Sequence, residues 1–150
     1  MSSNSENPKK GREFEIAVKQ WFESYYNKPF ENNKPFGIGN PPKPHKFDVV
    51  SCDDSIIAEC KCYTWTETGN IPSAKMGFAN EAVFYLSFIL TAKTFIVMKK
   101  SIHTKRTETL AEYYYRTNKH LLGSTKVLEY DVKEKSMKEI GEKYLCLTKT

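Results

Sequence analysis

Phe47-Asp48-Val49-Val50-Ser51-Cys52-Asp53-Asp54-Ser55-Ile56-Ile57-Ala58-Glu59-Cys60-Lys61-Cys62-Tyr63 is the stretch on which the reading of this chain turns. Two runs with strand composition, 47–50 and 55–63, flank Cys52-Asp53-Asp54-Ser55, whose polar side chains favour a tight turn. The stretch therefore predicts an antiparallel hairpin. Side chains alternate along a strand, so Glu59 and Lys61 share one face while Cys60 and Cys62 point to the other, into the core under a helix. Across the turn, Asp48 can bring its carboxylate beside Glu59. Two anionic side chains set against each other repel unless a cation sits between them, and paired carboxylates are oxygen ligands of the kind a hard dication such as Mg2+ prefers. Lys61 beside such a pair can hold an attacking water or stabilise phosphoryl oxygens as charge accumulates, a set of groups suited to phosphodiester hydrolysis.

Upstream, Phe14, Ala17, Val18, Trp21, Phe22 and Tyr25 recur at three- and four-residue intervals, which predicts an amphipathic helix over 10–27, started at Asn7-Pro8 and stopped at Asn27 to Pro29. Residues 28–44 hold five prolines and two glycines with few apolar side chains, and read as a long surface loop. Downstream, after a polar segment over 64–73, residues 74–90 have the composition of a buried helix. Residues 94–98 form a short run consistent with a strand buried on both faces. A helix over 107–122 closed by Gly123 and an edge-like strand over 126–132 follow, while 137–150 fits no single element. The expected fold class is α/β, a mixed sheet flanked by helices in the order α-β-β-α-β-α-β, in a single domain over 1–150 with 1–9 as a mobile lead-in.

The chain's 150 residues, 39% hydrophobic and 13% aromatic, supply enough apolar material for one core. Lys and Arg number 23 against 18 Asp and Glu, a formal charge of +5 that suits a polyanionic partner and equally serves a solvated surface. No apolar run approaches the ~20 residues that span a bilayer, and the N-terminus lacks the pattern of a secretory signal, so no membrane partner and a cytoplasmic location are expected. The four cysteines, at 52, 60, 62 and 146, read as buried thiols, since the single residue between Cys60 and Cys62 falls outside the usual zinc spacing.

The pattern Asp48-x10-Glu59-x-Lys61, in the words Phe47-Asp48-Val49-Val50 and Ala58-Glu59-Cys60-Lys61, resembles the core motif of the PD-(D/E)XK nuclease superfamily, and in particular its Holliday junction resolvase and Mrr-type members. Phe47 stands where the family name has Pro. Lys10-Gly11-Arg12-Glu13-Phe14-Glu15 resembles the opening of the first helix in those families, where a Gly is followed four residues later by a Glu that completes the metal site. The resemblance implies a restriction endonuclease-like fold and a metal-dependent endonuclease, most simply of DNA, double-stranded or branched. It assigns Asp48, Glu59, Lys61 and Glu15 to catalysis, the three acids to Mg2+ with Mn2+ able to substitute, and allows a homodimer. A catalytically silent nucleic-acid-binding or assembly module on the same fold, or an RNA-cutting defence effector, stays open.

Further candidates surround this core. His45 and Lys46 could contact phosphate or shuttle a proton, or simply end a solvated loop. Lys75 could approach the substrate backbone or decorate a helix start. The run Lys99, Lys100, His103, Lys105 and Arg106 is the densest basic cluster and could track a phosphate backbone. Tyr63 and Trp65 read as core caps. Tyr113-Tyr114-Tyr115 cannot all face one core, which leaves at least one ring for solvent or a dimer interface.

Overall fold

The computed structural model describes residues 8–141 and the strand 145–147. It is an α/β structure. Helix α1 (Pro8–Tyr26) leads into strands β1 (Phe30–Ile38), β2 (Lys43–Ser51) and β3 (Ile56–Lys61), then α2 (Ser73–Leu86), β4 (Lys93–Lys99), α3 (Leu110–Asn118), β5 (Lys126–Asp131), β6 (Ser136–Ile140) and β7 (Leu145–Leu147). All seven strands join one mixed sheet in sequence order. Its central neighbours β3, β4 and β5 run parallel, and the pairs on either side are antiparallel.

Connectivity decides which helix covers which face. The β3–α2–β4 and β4–α3–β5 crossovers advance the same way across the sheet, and crossovers of one hand place their helices on one face. Met76, Ala79, Ala82 and Val83 of α2 and Leu110, Ala111 and Tyr114 of α3 accordingly share a core with Ile96, Met98 and Val127. The other face falls to α1, whose Phe14, Val18 and Phe22 meet Val49, Ala58, Cys60, Phe95, Val97 and Leu128. Strands covered on both sides read as continuous apolar runs, which is why β4 is buried from Thr94 to Met98.

The expected hairpin forms, with Val49 opposite Ala58 and Val50 opposite Ile57. The expected loop over 28–44 does not. Residues 30–38 are an edge strand paired along its length with β2, anchored at its start by buried Phe30. Its Pro35 is tolerated because an edge strand can spare an N–H, and Pro41-Pro42 occupy the turn, so a proline count that argued for a loop describes an edge hairpin. The strand at 126–131 is interior rather than edge-like, because β6 and β7, built from the stretch that fitted no element, lie beyond it. The expected lead-in over 1–9 is shortened: Pro8 and Lys9 belong to α1, where a first-turn proline loses no hydrogen bond, and 1–7 lie outside the described residues. Helix α3 starts later than expected because Thr109 caps it, accepting from the Glu112 N–H while the Glu112 carboxylate accepts from the Thr109 N–H. Cys60 is buried and Cys62 half-buried as expected, whereas Cys52, at the hairpin turn, is exposed; the side chain of Cys146 lies outside the described residues. No described helix is long and apolar enough to cross a membrane.

Candidate active site

The geometry of the site begins with an irregularity in β2. His45 and Phe47 face the α2 side of the sheet, where the His45 ring stacks on Tyr85 at 4.3 Å and Phe47 packs on Leu86 and Ile89. Val49, two residues further on, faces α1, and Val50 returns to the α2 side. The alternation therefore resets at Asp48. Its carboxylate takes the place of a ladder carbonyl, Oδ2 accepting from the Cys60 N–H at 2.8 Å. Backbone pairing of β2 with β3 stops at Val49 and Ala58, while β3 stays paired with β4 as far as Lys61. A cleft thus opens between the diverging strands with Asp48 on one wall and Glu59 and Lys61 on the other.

Helix α1 supplies the third acid. Asn32, from β1, donates through its side-chain amide to the main-chain carbonyls of both Asp48, at 3.0 Å, and Glu15, at 3.3 Å. That bidentate contact fixes the helix against the strand at the two positions that carry the site. Glu15 is half-buried and its charge is felt by Asp48 and Lys61, whereas Glu13 is exposed. The register that separates these two glutamates on a helix favours Glu15, as expected.

Crowding of carboxylates dominates the electrostatics. Burial, then the charge of Asp48, push Glu15 up to about 7 against the opposing pull of Lys61 and Arg12. Glu59, only 5% exposed, is pushed up to about 10, first by burial, then by the Asp48 charge and by a hydrogen bond to Asp48 that holds a proton on it; Lys61 pulls the other way. The Glu59 Oε2 also lies 3.2 Å from His45 Nε2. Three acids and one ammonium leave the cleft with an excess of negative charge when all are ionised, an imbalance that a bound dication removes.

Among the described residues no three His, Cys, Asp or Glu side chains stand together as a ready-made metal cage. Magnesium does not require one: it keeps several waters and binds through one or two carboxylates together with phosphate oxygens. Asp48 and Glu59 supply those two, and their crowding gives them reason to take a cation, so the donor set fits the ion. Glu15 faces the pair without closing a cage.

Around the cleft the structure sorts the weaker candidates. His45 belongs to the site through Glu59. Tyr63, expected to cap the core, is half-buried and carries two ammonium groups near its ring, Lys61 at 6.0 Å and Lys75 at 5.6 Å. Lys75 is thereby brought beside the end of β3. Lys99 and Lys75, with Lys10 of α1, are close enough to Cys62 to oppose the upward push that burial gives its thiol. Lys46 and Lys105 are exposed. Lys100 pairs with Asp131 at 3.7 Å. Arg106 lies over the Trp65 ring at 4.3 Å and donates to the Gly69 carbonyl, and His103 bonds the Glu67 carbonyl, so both tie the 64–72 loop down instead of lying open to a ligand. The tyrosine run offers no fully exposed ring: Tyr114 is buried with its hydroxyl donating to Asn80, and Tyr113 and Tyr115 are half-buried against the same core.

Sequence reasoning missed Asn32 and the role of Tyr85, and both omissions follow from reading 28–44 as a loop. An asparagine in a proline-rich segment gives no periodic signal; only the pairing of β1 with β2 shows where its amide points. No family model, curated protein or solved structure matches the chain.

Proposed function

We propose that this protein is a metal-dependent endonuclease that hydrolyses phosphodiester bonds, most simply those of DNA, with Asp48, Glu59, Lys61 and Glu15 as its catalytic residues and Mg2+ as its cofactor. The observation that carries the reading is the convergence of three acids and a lysine, from α1, β2 and β3, at the point where β2 and β3 stop pairing. Asp48 and Glu59 would hold the ion. When bound, the metal supplies a lowered pKa for a coordinated water and polarisation of the scissile phosphate.

The remaining work falls to the chain. Lys61, held beside Tyr63, places a fixed positive charge where phosphoryl oxygens gain charge in the transition state. Glu15, which faces Asp48 and Lys61 from α1, would take a proton from an attacking water. Lys75 and Lys99 extend positive charge along the cleft rim, where a polynucleotide backbone would run. A cytoplasmic setting, in which the thiols of Cys52, Cys60 and Cys62 stay reduced, belongs to the same proposal.

The test is incubation with supercoiled, linear, branched and single-stranded DNA and with RNA, in Mg2+ or Mn2+ and again with chelator. Cleavage should require the metal and vanish in Asp48→Ala and Lys61→Ala, variants whose circular dichroism should match the wild type. Equal cleavage by both variants would sink the assignment, and cleavage of RNA alone would move the substrate class.

A further inference from the structure

The proposed chemistry leaves His45 without a role, although it touches the site. Its imidazole is in contact with a site carboxylate, and its surroundings are more restrictive than a surface histidine needs. Tyr85 stacks on it at 4.3 Å with the planes 25° apart, and Phe47 meets it edge-on at 4.6 Å. These contacts fix the ring plane, and the plane aims Nε2 at Glu59 Oε2, 3.2 Å away.

Glu59 needs such a partner. Its carboxyl group ends a flexible side chain that is buried and lies against Asp48. Without a second contact, rotation about its side-chain torsions would carry the Glu59 oxygens away from Asp48 and separate the two ligands. A hydrogen bond to a fixed imidazole on the far side holds one oxygen in place and leaves the other toward Asp48. Partners of metal-ligating carboxylates act in this way, orienting the ligand before the ion arrives.

We infer that His45 is a positioning residue that holds the Glu59 carboxylate in ligand geometry through Nε2, with Tyr85 as the plate that fixes the imidazole. The inference rests on the metal-site reading given above and adds to it a residue outside the Asp-Glu-Lys motif. It commits His45 to Glu59 and not to the substrate: loss of His45 acts on metal affinity, and only through it on cleavage.

The experiment compares the wild type with H45Q, H45N and E59Q by direct Mn2+ binding, followed by the electron paramagnetic resonance of the free ion, and by the Mn2+ dependence of cleavage. A glutamine amide nitrogen falls near the position of Nε2 and can donate to Glu59, whereas the asparagine amide is too short. H45N should therefore weaken Mn2+ binding by about 10-fold or more, the usual cost of losing such a partner, while H45Q stays within about threefold of wild type. At saturating Mn2+, kcat of H45N should return close to that of the wild type. Equal Mn2+ affinity in wild type, H45N and H45Q overturns the inference while leaving the metal site intact. Equal weakening in H45Q and H45N also overturns it, because the ring itself would then be the ligand. A wild type whose Mn2+ binding equals that of E59Q overturns the metal site and this inference together. The two histidine variants keep similar polarity, and matched thermal midpoints separate a local effect from a loss of folding.

Discussion

Glu59 and Glu129 are both buried acids, 5% and 2% exposed, yet they sit in opposite circumstances. Glu129 accepts a hydrogen bond from the Thr109 hydroxyl and has Lys138 nearby at 3.9 Å, so its partners offset part of its burial. Glu59 faces another acid. A carboxyl raised in the folded state binds more protons folded than unfolded, so the stability it contributes is present at low pH and is lost as pH rises. The window opens near the ordinary value of 4.5, runs through about 7 for Glu15 and extends toward about 10 for Glu59. In chelator, the thermal midpoint should fall between pH 5 and pH 9. Glu59→Gln should flatten that slope and raise the midpoint at pH 8, by about 2–4 °C for each kcal/mol of repulsion relieved in a chain of this size. A variant with the wild-type pH slope would show that Glu59 is not the crowded group.

At the level of elements, the site depends on how α1 sits against strand β2, and Asn32 is what registers one against the other. Asn32→Ala leaves the Asp48 and Glu15 carbonyls without their shared donor. It should cost about 1–2 kcal/mol in urea unfolding and lower kcat about 10-fold or more, because the site loses the support that orients its acids. Thr109→Ala is the contrasting case. It removes the α3 cap and the donor to Glu129, so stability should fall by about 1–3 kcal/mol while cleavage under folded conditions stays near wild type. A large loss of activity there would tie α3 to the site. Leu86 and Ile89 matter for the same reason as Asn32, since the β1–β2 hairpin rests on them through Phe36, Ile38 and Phe47 and so sets the wall of the cleft.

For the molecule as a whole, the proposed metal binding would be linked to folding. An ion that binds the folded cleft and not the unfolded chain stabilises by about 2.7 kcal/mol at a hundred times its dissociation constant. Mg2+ or Mn2+ added at pH 8 should therefore raise the thermal midpoint, by about 5–10 °C at that saturation, and chelator should reverse it. Asp48→Asn should abolish the shift. A midpoint indifferent to both ions would argue against a site at Asp48 and Glu59. Four of the exposed large apolar side chains, Phe78, Phe84, Phe88 and Leu90, lie on α2 or just beyond it, and none belongs to the tyrosine run of α3. That distribution follows from the tyrosines filling the core between α3 and the sheet.

What the sequence by itself determined is local. The turn at 52–55, the alternation that separates Glu59 and Lys61 from Cys60 and Cys62, and the helical spacing that sets Glu15 apart from Glu13 are short-range properties of neighbouring residues, and all are present in the structure. The parallel centre of the sheet was legible as alternating strand and helix. What only the tertiary structure decided is which distant groups meet. The edge strand β1 lacks a periodic apolar signal because one of its sides needs no partner, so its prolines hid it. The reset at Asp48 depends on the Asn32 amide and the Cys60 N–H, neither of which is adjacent in sequence. His45 reaches Glu59 because Tyr85, forty residues downstream by number, supplies the surface that fixes its plane. Local pattern specifies backbone periodicity, whereas a site made of charges depends on long-range packing that holds them closer than they would stand in water.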